Sequence, residues 1–372
     1  MTAHWIRRLT RVLVSLSCLS LVLVGVSIAG ASTTSSFMPY RLVRAGNSDV
    51  VYVITWSGCK QAKCLGLYRS NVEATTFTKV ELPPGASFET LGDIVFATPL
   101  IGYATLGSYS PSTLYATANG GRTWRKVMSE DDVAYRVITT SSEVMVSSMR
   151  CIPRTDDCGQ YTVQRASLAA THWVTLRALW KTGDRKDEQL YGPSLAAFGK
   201  NVWELETASS GNFGVAMWAS HNFGRTFSRT TPKFPQLVSV AGCSFYPMSS
   251  TTLWAECPTG MEVSFWHSSD GGVHWTQVSQ SQFAGTGGGA FDPVSATVAY
   301  LDYGGVVGKV NFVRLSDGGR VAQSVAEIRC TNASLVFTTV DRGLMMCNEN
   351  DTQVVLRVTN DGGTTWTPVA TA

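Results

Sequence analysis

The chain has 372 residues, a formal net charge of +3, 44% hydrophobic residues and 34 glycines. Three arginines and no acidic residue lie among residues 1–31, so the remainder of the chain is close to electrically neutral. A near-neutral chain has no general electrostatic attraction for nucleic acid or for an acidic membrane surface, and neither is expected as a partner on that ground.

Residues 1–31 have the pattern of a signal peptide. It begins with the basic residues Arg7, Arg8 and Arg11, and an apolar run follows at residues 12–28. Ala29-Gly30-Ala31 then supplies the small residues of a cleavage site. The pattern predicts an exported chain, secreted or on the exterior of the cell envelope, with residues 32–39 as a short linker. An uncleaved anchor is the alternative, because the apolar run reaches the lower limit for crossing a bilayer. Membrane contact is expected only in that case.

An eight-residue pattern, Ser/Thr-x-Asp-x-Gly-x-x-aromatic, recurs through the rest of the chain. It is complete at residues 268–275 and 359–366, and Asn replaces Asp at residues 117–124 and 220–227. Three degenerate copies occupy residues 70–77, 166–173 and 315–322. The copies recur every 44 to 54 residues, and a period in that range indicates a solenoid, a propeller or another array.

Each period contains four short segments rich in Val, Ile, Tyr, Phe, Trp and Thr, which is the composition of strands. In the second period they are residues 93–98, 101–107, 113–117 and 124–128. Seven such periods predict an all-β fold, a seven-bladed β-propeller of four-stranded antiparallel blades, as one domain over residues 40–372. Six blades are the alternative if the copy at 315 is not a true blade. The predicted blades are residues 40–83, 87–129, 133–178, 189–231, 236–279, 288–324 and 325–372.

The repeated pattern is predicted to be the turn between the third and fourth strands of each blade. Its Asp or Asn accepts hydrogen bonds from turn amides, its fifth-position Gly supplies a positive φ, and its final aromatic packs at the start of the outer strand. The residues with this structural role are Asn119, Trp124, Asn222, Phe227, Asp270, Trp275, Asp361 and Trp366. Because Val72 and Leu168 replace the acid in two copies, a catalytic or calcium-binding role for these acids is not expected.

Eight cysteines follow residue 31, and they form four short-range pairs. In an exported chain such pairs predict the disulfides Cys59–Cys64, Cys151–Cys158, Cys243–Cys257 and Cys330–Cys347. None has Cys-x-x-Cys spacing or an accompanying His, so neither a metal nor another cofactor is predicted. With strands alternating in direction, all four bridges lie on the face opposite the repeated turns. We therefore expect that face to carry the binding surface.

Loops of this face supply the candidate binding residues. They are Trp56, Lys60, Tyr109, Arg154, Asp156, Asp157, Glu256, Tyr303, Glu349 and Asp351. Aromatic and charged side chains around a propeller mouth would bind a peptide or a glycan. The alternative is that they are ordinary solvated loop residues. No catalytic residue is indicated.

The repeated turns resemble the Asp-box, or BNR, repeat of the sialidase-like propellers. The stretch TANGGRTW at residues 117–124 and the short blades are most similar to photosystem II stability and assembly factors and to exported BNR-repeat proteins. The resemblance implies structural boxes and carries over no catalytic residue. A sialidase would show Arg-Ile-Pro in its first strand and six blades, whereas this chain reads Arg41-Leu42-Val43. The favoured function is a monomeric, non-catalytic binding or assembly propeller for a protein or carbohydrate partner, and a sialidase-like glycoside hydrolase is the alternative.

Overall fold

A computed structural model describes residues 38–58, 63–74, 76–107, 112–130, 132–151, 158–179, 190–208, 216–234, 243–259, 262–278, 290–304, 308–330, 333–350 and 353–369. Among these residues the only helix is one turn of 3-10 helix at Asp317–Gly319. The described part of the chain holds no helix that could span a membrane.

The described residues form seven four-stranded antiparallel sheets, each from strands consecutive in sequence. The first four sheets consist of β1 (Met38–Arg44), β2 (Val50–Gly58), β3 (Lys63–Asn71) and β4 (Thr78–Val80); β5 (Leu91–Phe96), β6 (Gly102–Leu106), β7 (Ser112–Thr117) and β8 (Arg125–Glu130); β9 (Asp132–Thr139), β10 (Glu143–Cys151), β11 (Cys158–Ser167) and β12 (Val174–Leu179); and β13 (Leu190–Phe198), β14 (Asn201–Ala208), β15 (Ala216–Ser220) and β16 (Ser228–Thr230).

The last three sheets consist of β17 (Ser244–Pro247), β18 (Leu253–Thr259), β19 (Glu262–Ser268) and β20 (Thr276–Gln277); β21 (Phe291–Pro293), β22 (Ala299–Gly304), β23 (Lys309–Ser316) and β24 (Val321–Arg329); and β25 (Ala333–Phe337), β26 (Gly343–Asn350), β27 (Gln353–Thr359) and β28 (Thr367–Pro368). The seven-bladed prediction is confirmed, and the copy at 315 belongs to a complete sixth blade. Because β24 ends at Arg329, that blade continues past residue 324, the boundary expected from sequence.

Buried apolar side chains form seven clusters, and each cluster fills the space between two neighbouring blades. One cluster joins blade seven to blade one, where Leu344 and Leu356 pack with Val51 and Val53. In the part of the chain that the structure describes, no strand is exchanged between these two blades. The ring is therefore closed by burial of apolar surface, which is the dominant favourable contribution to folding, together with side-chain hydrogen bonds.

In five blades, an aromatic residue of the second strand donates a hydrogen bond to the following blade. The side chains of Tyr52, Trp203 and Trp254 donate to the carbonyl oxygens of Pro99, Gly271 and Ser295 at 2.9, 3.1 and 3.0 Å. Tyr103 and Tyr300 make the same kind of bond to Leu168 and Val340. Each acceptor lies in a loop or turn of the following blade. When Tyr or Trp is buried in a core, its O–H or N–H group usually needs a hydrogen-bond acceptor, and here backbone carbonyl groups supply it.

The repeated turns share one hydrogen-bond pattern. Thr359 Oγ1 accepts from the Gly363 amide at 2.9 Å, and Asp361 Oδ1 accepts from the Thr365 amide at 2.9 Å. Asn119 and Asn222 accept from the amides at the equivalent position, also at 2.9 Å. A negative charge is therefore not needed for the turn to form.

The fifth turn position has a left-handed backbone, as predicted. Gly363 has a φ of 85°, and a Cβ there would collide with the ring of Phe312. Two degenerate copies place Ala74 and Ala170 in the same region, with φ of 49° and 48°. Since alanine adopts this conformation at a cost, these turns hold it by packing rather than by intrinsic preference.

The last aromatic of each turn fills the interface with the preceding blade, beyond the expected contact at the start of the outer strand. Trp124, Phe227, Trp275 and Trp366 all do so, as do Phe77 and Trp173 of the degenerate copies. Where the acid is lost, Val72 and Leu168 join the same clusters. Packing is the constant part of the motif, and the carboxylate or amide is the variable part.

Candidate binding face

Strand direction assigns the loops to two faces. In each blade the turn between the third and fourth strands lies beside the loop between the first and second strands. Two hydrogen bonds show this contact: the Gly120 amide donates to Leu100 O at 2.8 Å, and the Gly362 amide donates to Asp341 O at 2.9 Å. We call this side the turn face. The opposite face carries the loops between second and third strands and the connections between blades.

Both disulfides in the described part of the chain stiffen the opposite face. Cys243 precedes β17 and bonds to Cys257 near the end of β18, and Cys330 precedes β25 and bonds to Cys347 of β26. These two predicted pairings are confirmed. Cys151 and Cys158 are in register at the end of the β10–β11 pair, which agrees with the third prediction at the level of the backbone. Cys59, and with it the fourth pairing, lies outside the described residues.

Four of the predicted binding residues are described, and they do not form one cluster. Trp56 is half-buried near the end of β2, and Glu349 of β26 forms an ion pair with Arg357 of β27. Glu256 and Tyr303 both lie between blades five and six. The other six lie outside the described residues: Lys60, Tyr109, Arg154, Asp156, Asp157 and Asp351. The binding role of all ten residues stays a prediction.

A cavity of about 230 Å³ opens between blades one and two, toward the opposite face. We call it the blade 1–2 pocket; its lining residues are Tyr40, Arg41, Ile54, Leu65, Phe88, Leu91 and Gly92. Tyr40 and Phe88 are 46% and 37% exposed, and their rings meet edge to face with centroids 5.2 Å apart. Trp56 follows Ile54 by two residues on β2, so it continues the same row of side chains toward the opposite face.

Two β-bulges shape this pocket. In β1 the pairing skips Tyr40, because Pro39 faces Thr55 and Arg41 faces Ile54. In β5, Gly92 and Asp93 both lie opposite the single residue Thr105, whose hydroxyl accepts from the Asp93 amide at 2.7 Å. A bulge turns a side chain out of the regular alternation and is common beside binding sites. The sequence pattern could not indicate the pocket, since it depends on these register shifts.

Charged side chains link the innermost strands of neighbouring blades. Asp93 accepts from Arg41 of blade one at 2.9 Å and from the Val137 amide of blade three at 3.2 Å. Arg41 is therefore held by an ion pair at the edge of the blade 1–2 pocket.

A second link crosses the closure of the ring. Arg44 Nη1 of blade one donates to Phe337 O at 2.6 Å, while the Phe337 amide of blade seven donates to the Asp292 carboxylate of blade six. Burial raises the pKa of Asp292 to about 6, although the nearby positive charge of Arg44 acts in the opposite direction. This link connects three blades at the point where no strand is exchanged.

Two acids with raised pKa values lie in blades five and six. Glu256 accepts from the Tyr246 hydroxyl at 2.9 Å, and burial raises the pKa of both side chains. Asp302 accepts from the Ala290 amide, and burial, reinforced by the negative charge of Glu256, raises the pKa of Asp302 to about 7. The positive charge of Arg136 in blade three acts in the opposite direction on the pKa of Tyr246.

The geometry of these acids favours a structural role. Asp302 is only 2% exposed and is bonded to its own blade, so a substrate could not reach its carboxyl group without displacing protein. Among the described residues no group of three His, Cys, Asp or Glu side chains could hold a metal ion. The blade 1–2 pocket, in contrast, presents accessible aromatic side chains.

No family model matches this chain, and no curated protein matches it by sequence. Its fold resembles that of several solved structures. YCF48 bound to D1 peptide matches with a TM-score of 0.51 and 15% identity, over 78% of this chain and 82% of that one. YCF48 is a photosystem II assembly factor.

Two peptidase structures match with higher TM-scores and lower sequence identity. The propeller domain of the trilobed protease from Pyrococcus furiosus, described as having an open velcro topology, matches with a TM-score of 0.59 and 7% identity over 89% of this chain and 97% of that one. A puromycin-hydrolysing peptidase from Mycobacterium tuberculosis matches with a TM-score of 0.61 and 11% identity over 90% of this chain and 53% of that one. These likenesses establish the fold and leave the function open between binding and hydrolysis.

Proposed function

We propose that this chain is a non-catalytic binding or assembly propeller that recognises a protein or glycan partner on the opposite face, with a protein partner favoured. The observation that carries this proposal is the contrast between accessible and buried groups. The blade 1–2 pocket exposes two aromatic rings, whereas Asp302 is bonded within the fold and is 2% exposed. Exposed aromatic side chains beside a cavity with an apolar floor are typical of interaction sites.

We also propose that the chain is exported and acts outside the cytoplasm as a monomer. The charge and hydropathy pattern of residues 1–31 supports export. The two disulfides of the described residues support an oxidising compartment, since such bonds rarely persist in the cytosol. The repeated turns are proposed to be Asp-boxes of the sialidase-like superfamily, in a non-catalytic member. Their shared hydrogen bonds to the turn amides support a structural role.

A structural neighbour supports a protein partner. YCF48 has been captured with a D1 peptide, so a propeller of this architecture can bind a peptide segment. The loops that carry such binding vary independently of the scaffold, and the disulfides on the opposite face would hold them in place before binding.

A glycoside hydrolase is the second candidate, and one observation favours it. Glu256 and Asp302 both have raised pKa values, and the negative charge of Glu256 acts on Asp302. Two carboxyl groups with different pKa values are the usual machinery of such enzymes. Asp302 is only 2% exposed, which argues against this role unless a substrate displaces the protein around that carboxyl group.

Site-directed photo-crosslinking in the exporting cell tests the proposal. A photoreactive residue is introduced at position 56 or 303 on the opposite face, or at position 100 or 198 on the turn face. We expect one discrete protein adduct from the first pair and none from the second. Adducts from turn-face positions alone would overturn the assignment of the face.

An activity screen separates the two candidates. The purified chain and its Glu256→Gln variant are compared on a panel of fluorogenic glycosides, with a glycan array alongside. We expect no turnover from either protein. Turnover that is lost in Glu256→Gln would establish the hydrolase instead, and binding to glycans without a crosslinked protein would make the partner a carbohydrate.

A further inference from the structure

We propose that the blade 1–2 pocket receives one large apolar side chain from an extended peptide segment of the partner. The inference rests on the proposed function and assigns its contact site. The pocket lies at the opposite-face ends of β1, β3 and β5, where Tyr40, Leu65 and Leu91 line it.

The size of the pocket indicates what it holds. Sites that enclose a whole small ligand are usually about 300–1,000 Å³. At about 230 Å³ this pocket is smaller, so it suits a single side chain of a larger partner. Its floor is apolar, since Ile54 is fully buried and Leu65 and Leu91 pack against the same cluster. Burying apolar surface there would contribute about 25 cal/mol for each Å² removed from water.

The arrangement of the rings favours a peptide over a glycan. A sugar ring needs a flat aromatic surface flanked by several hydrogen-bonding side chains. Here the rings of Tyr40 and Phe88 are inclined by 61°, which makes a notch rather than a platform. Among the described residues that line the pocket, Arg41 alone is charged. Its guanidinium donates to Asp93 at 2.9 Å and to Gly92 O at 3.4 Å.

Arg41 also indicates the chemistry next to the anchoring side chain. Its side chain is 40% exposed at the edge of the notch, and a guanidinium has five N–H donors. A carbonyl or carboxylate oxygen of the bound segment would accept from it. A carboxylate is the stronger acceptor for a guanidinium, even one already paired with Asp93. The occupant we propose is therefore an extended segment with a Phe, Trp or Leu side chain beside an acidic residue.

The bulges in β1 and β5 explain why the notch between Tyr40 and Phe88 forms at this place. Tyr40 is the unpaired residue of its bulge, so its ring leaves the regular alternation of β1 and meets Phe88. Gly92 cannot carry a side chain, because a Cβ there would lie 2.7 Å from Thr105 Oγ1. Gly92 therefore allows the close approach of Thr105 at the second bulge, and the displaced Tyr40 forms one wall of the notch.

A peptide series tests the inference. The probes are fluorescent nonapeptides on a Gly-Ser-Thr background with Phe, Leu, Trp or Gly at the centre and either Asp or Lys beside it, titrated against the purified chain. We expect binding of the peptides with a central Phe, Trp or Leu, tightest with Asp beside it, and none with central Gly. The Phe88→Ala variant should lower the affinity at least tenfold.

The chain offers a matched control in Phe198, which is 39% exposed and ends β13 on the turn face. Phe198→Ala removes the same ring at similar exposure and should leave peptide affinity unchanged. Equal losses in Phe88→Ala and Phe198→Ala would overturn the inference. Tyr40→Ala gives a second test of the notch, and circular dichroism identifies any variant that does not fold.

The outcomes separate this inference from the proposed function. If opposite-face crosslinks persist while Phe88→Ala and Tyr40→Ala bind as the unmodified chain does, the pocket assignment fails and the binding function stands. If no peptide binds and no opposite-face crosslink forms, both fail. Preference for central Gly, or indifference to the central residue, also overturns the pocket.

Discussion

Aspartates in two regions of this propeller have opposite electrostatic behaviour. In the repeated turns, hydrogen bonds from the hydroxyl and amide of Thr365 hold the pKa of Asp361 below its ordinary value. Inside the ring, burial raises the pKa of Asp292 to about 6 and that of Asp302 to about 7. The turn stabilises the charged carboxylate in water, while the interior favours the neutral acid.

The turn aspartates belong to the repeat, whereas the interior aspartates do not. Asn replaces Asp in two turns without changing the hydrogen bond to the following amide, so the scaffold tolerates loss of the charge. Asp302 and Asp292 are not repeated in every blade. Asp302 accepts from Ala290 of its own blade, and Asp292 accepts from Phe337 of the next blade. Functional variation is therefore expected where blades differ, on the opposite face and along the innermost strands.

The largest expected effect concerns Asp302 and pH. Its folded pKa, about 7, lies above the ordinary value of 3.8, so between those values the folded state binds more protons than the unfolded state. The free energy of unfolding must then fall as pH rises through this window, by about 4 kcal/mol at most. Asp302→Asn should remove this dependence, so its stability relative to the unmodified chain should rise between pH 4 and pH 8. Urea unfolding followed by tryptophan fluorescence measures it.

Asp361→Asn is the matched control for that experiment. Since the pKa of Asp361 is lowered, its favourable contribution is present above pH 4 and is lost only as pH falls further. Its effect should therefore be constant from pH 5 to pH 8. The raised pKa values of Glu256 and Asp292 leave a residual slope in both variants. If Asp302→Asn retained the full slope, the proposed contrast between interior and turn would be wrong.

The repeat made most of the fold predictable. The turn at 359–366 and its copies fixed the blade count and the order of the four strands, and the residues at the fifth position adopt the predicted positive φ. The bonds from Tyr52, Tyr103, Trp203, Trp254 and Tyr300 to the next blade were not predicted, although these aromatics recur at equivalent positions in five blades. Only three-dimensional packing shows which carbonyl each one meets.

Much less of the candidate site could be read from the sequence. The face was inferred from the cysteine pairs, and Trp56 lies near the blade 1–2 pocket, but Tyr40 and Phe88 were not singled out. Tyr40 and Phe88 come from separate blades and meet because of a bulge and a blade connection, neither of which leaves a spacing pattern. Glu256 was expected on a solvated loop, yet it is bonded to Tyr246.

The second prediction concerns the disulfides of the opposite face. Cys243 and Cys257 are 14 residues apart, and closing such a loop stabilises the folded state by about 3 kcal/mol in chain-entropy estimates. The double variant Cys243→Ala, Cys257→Ala should lower the free energy of unfolding by about that amount. Hydrogen exchange of native amides should rise in β17 and at the end of β18.

Hydrogen exchange in the turn at 268–275 provides the comparison within the same blade. Those amides are held by Ser268 and Asp270, on the turn face, and should keep their protection in the double variant. Equal loss of protection at both ends of the blade would mean that the bridge stabilises the blade as a whole. The idea that it specifically stiffens the opposite face would then be abandoned.

The smallest expected effect is within the turn, where two substitutions at one position separate charge from hydrogen bonding. Asp361→Asn keeps the acceptor for the Thr365 amide, as Asn119 and Asn222 do for theirs, and should change stability by less than about 0.5 kcal/mol near neutral pH. Asp361→Ala removes the acceptor and should cost about 1 kcal/mol. Thermal unfolding of both variants at pH 7 measures the difference. Equal losses would show that the charge, rather than the acceptor, holds this turn, and the turns with Asn would then need another source of stability.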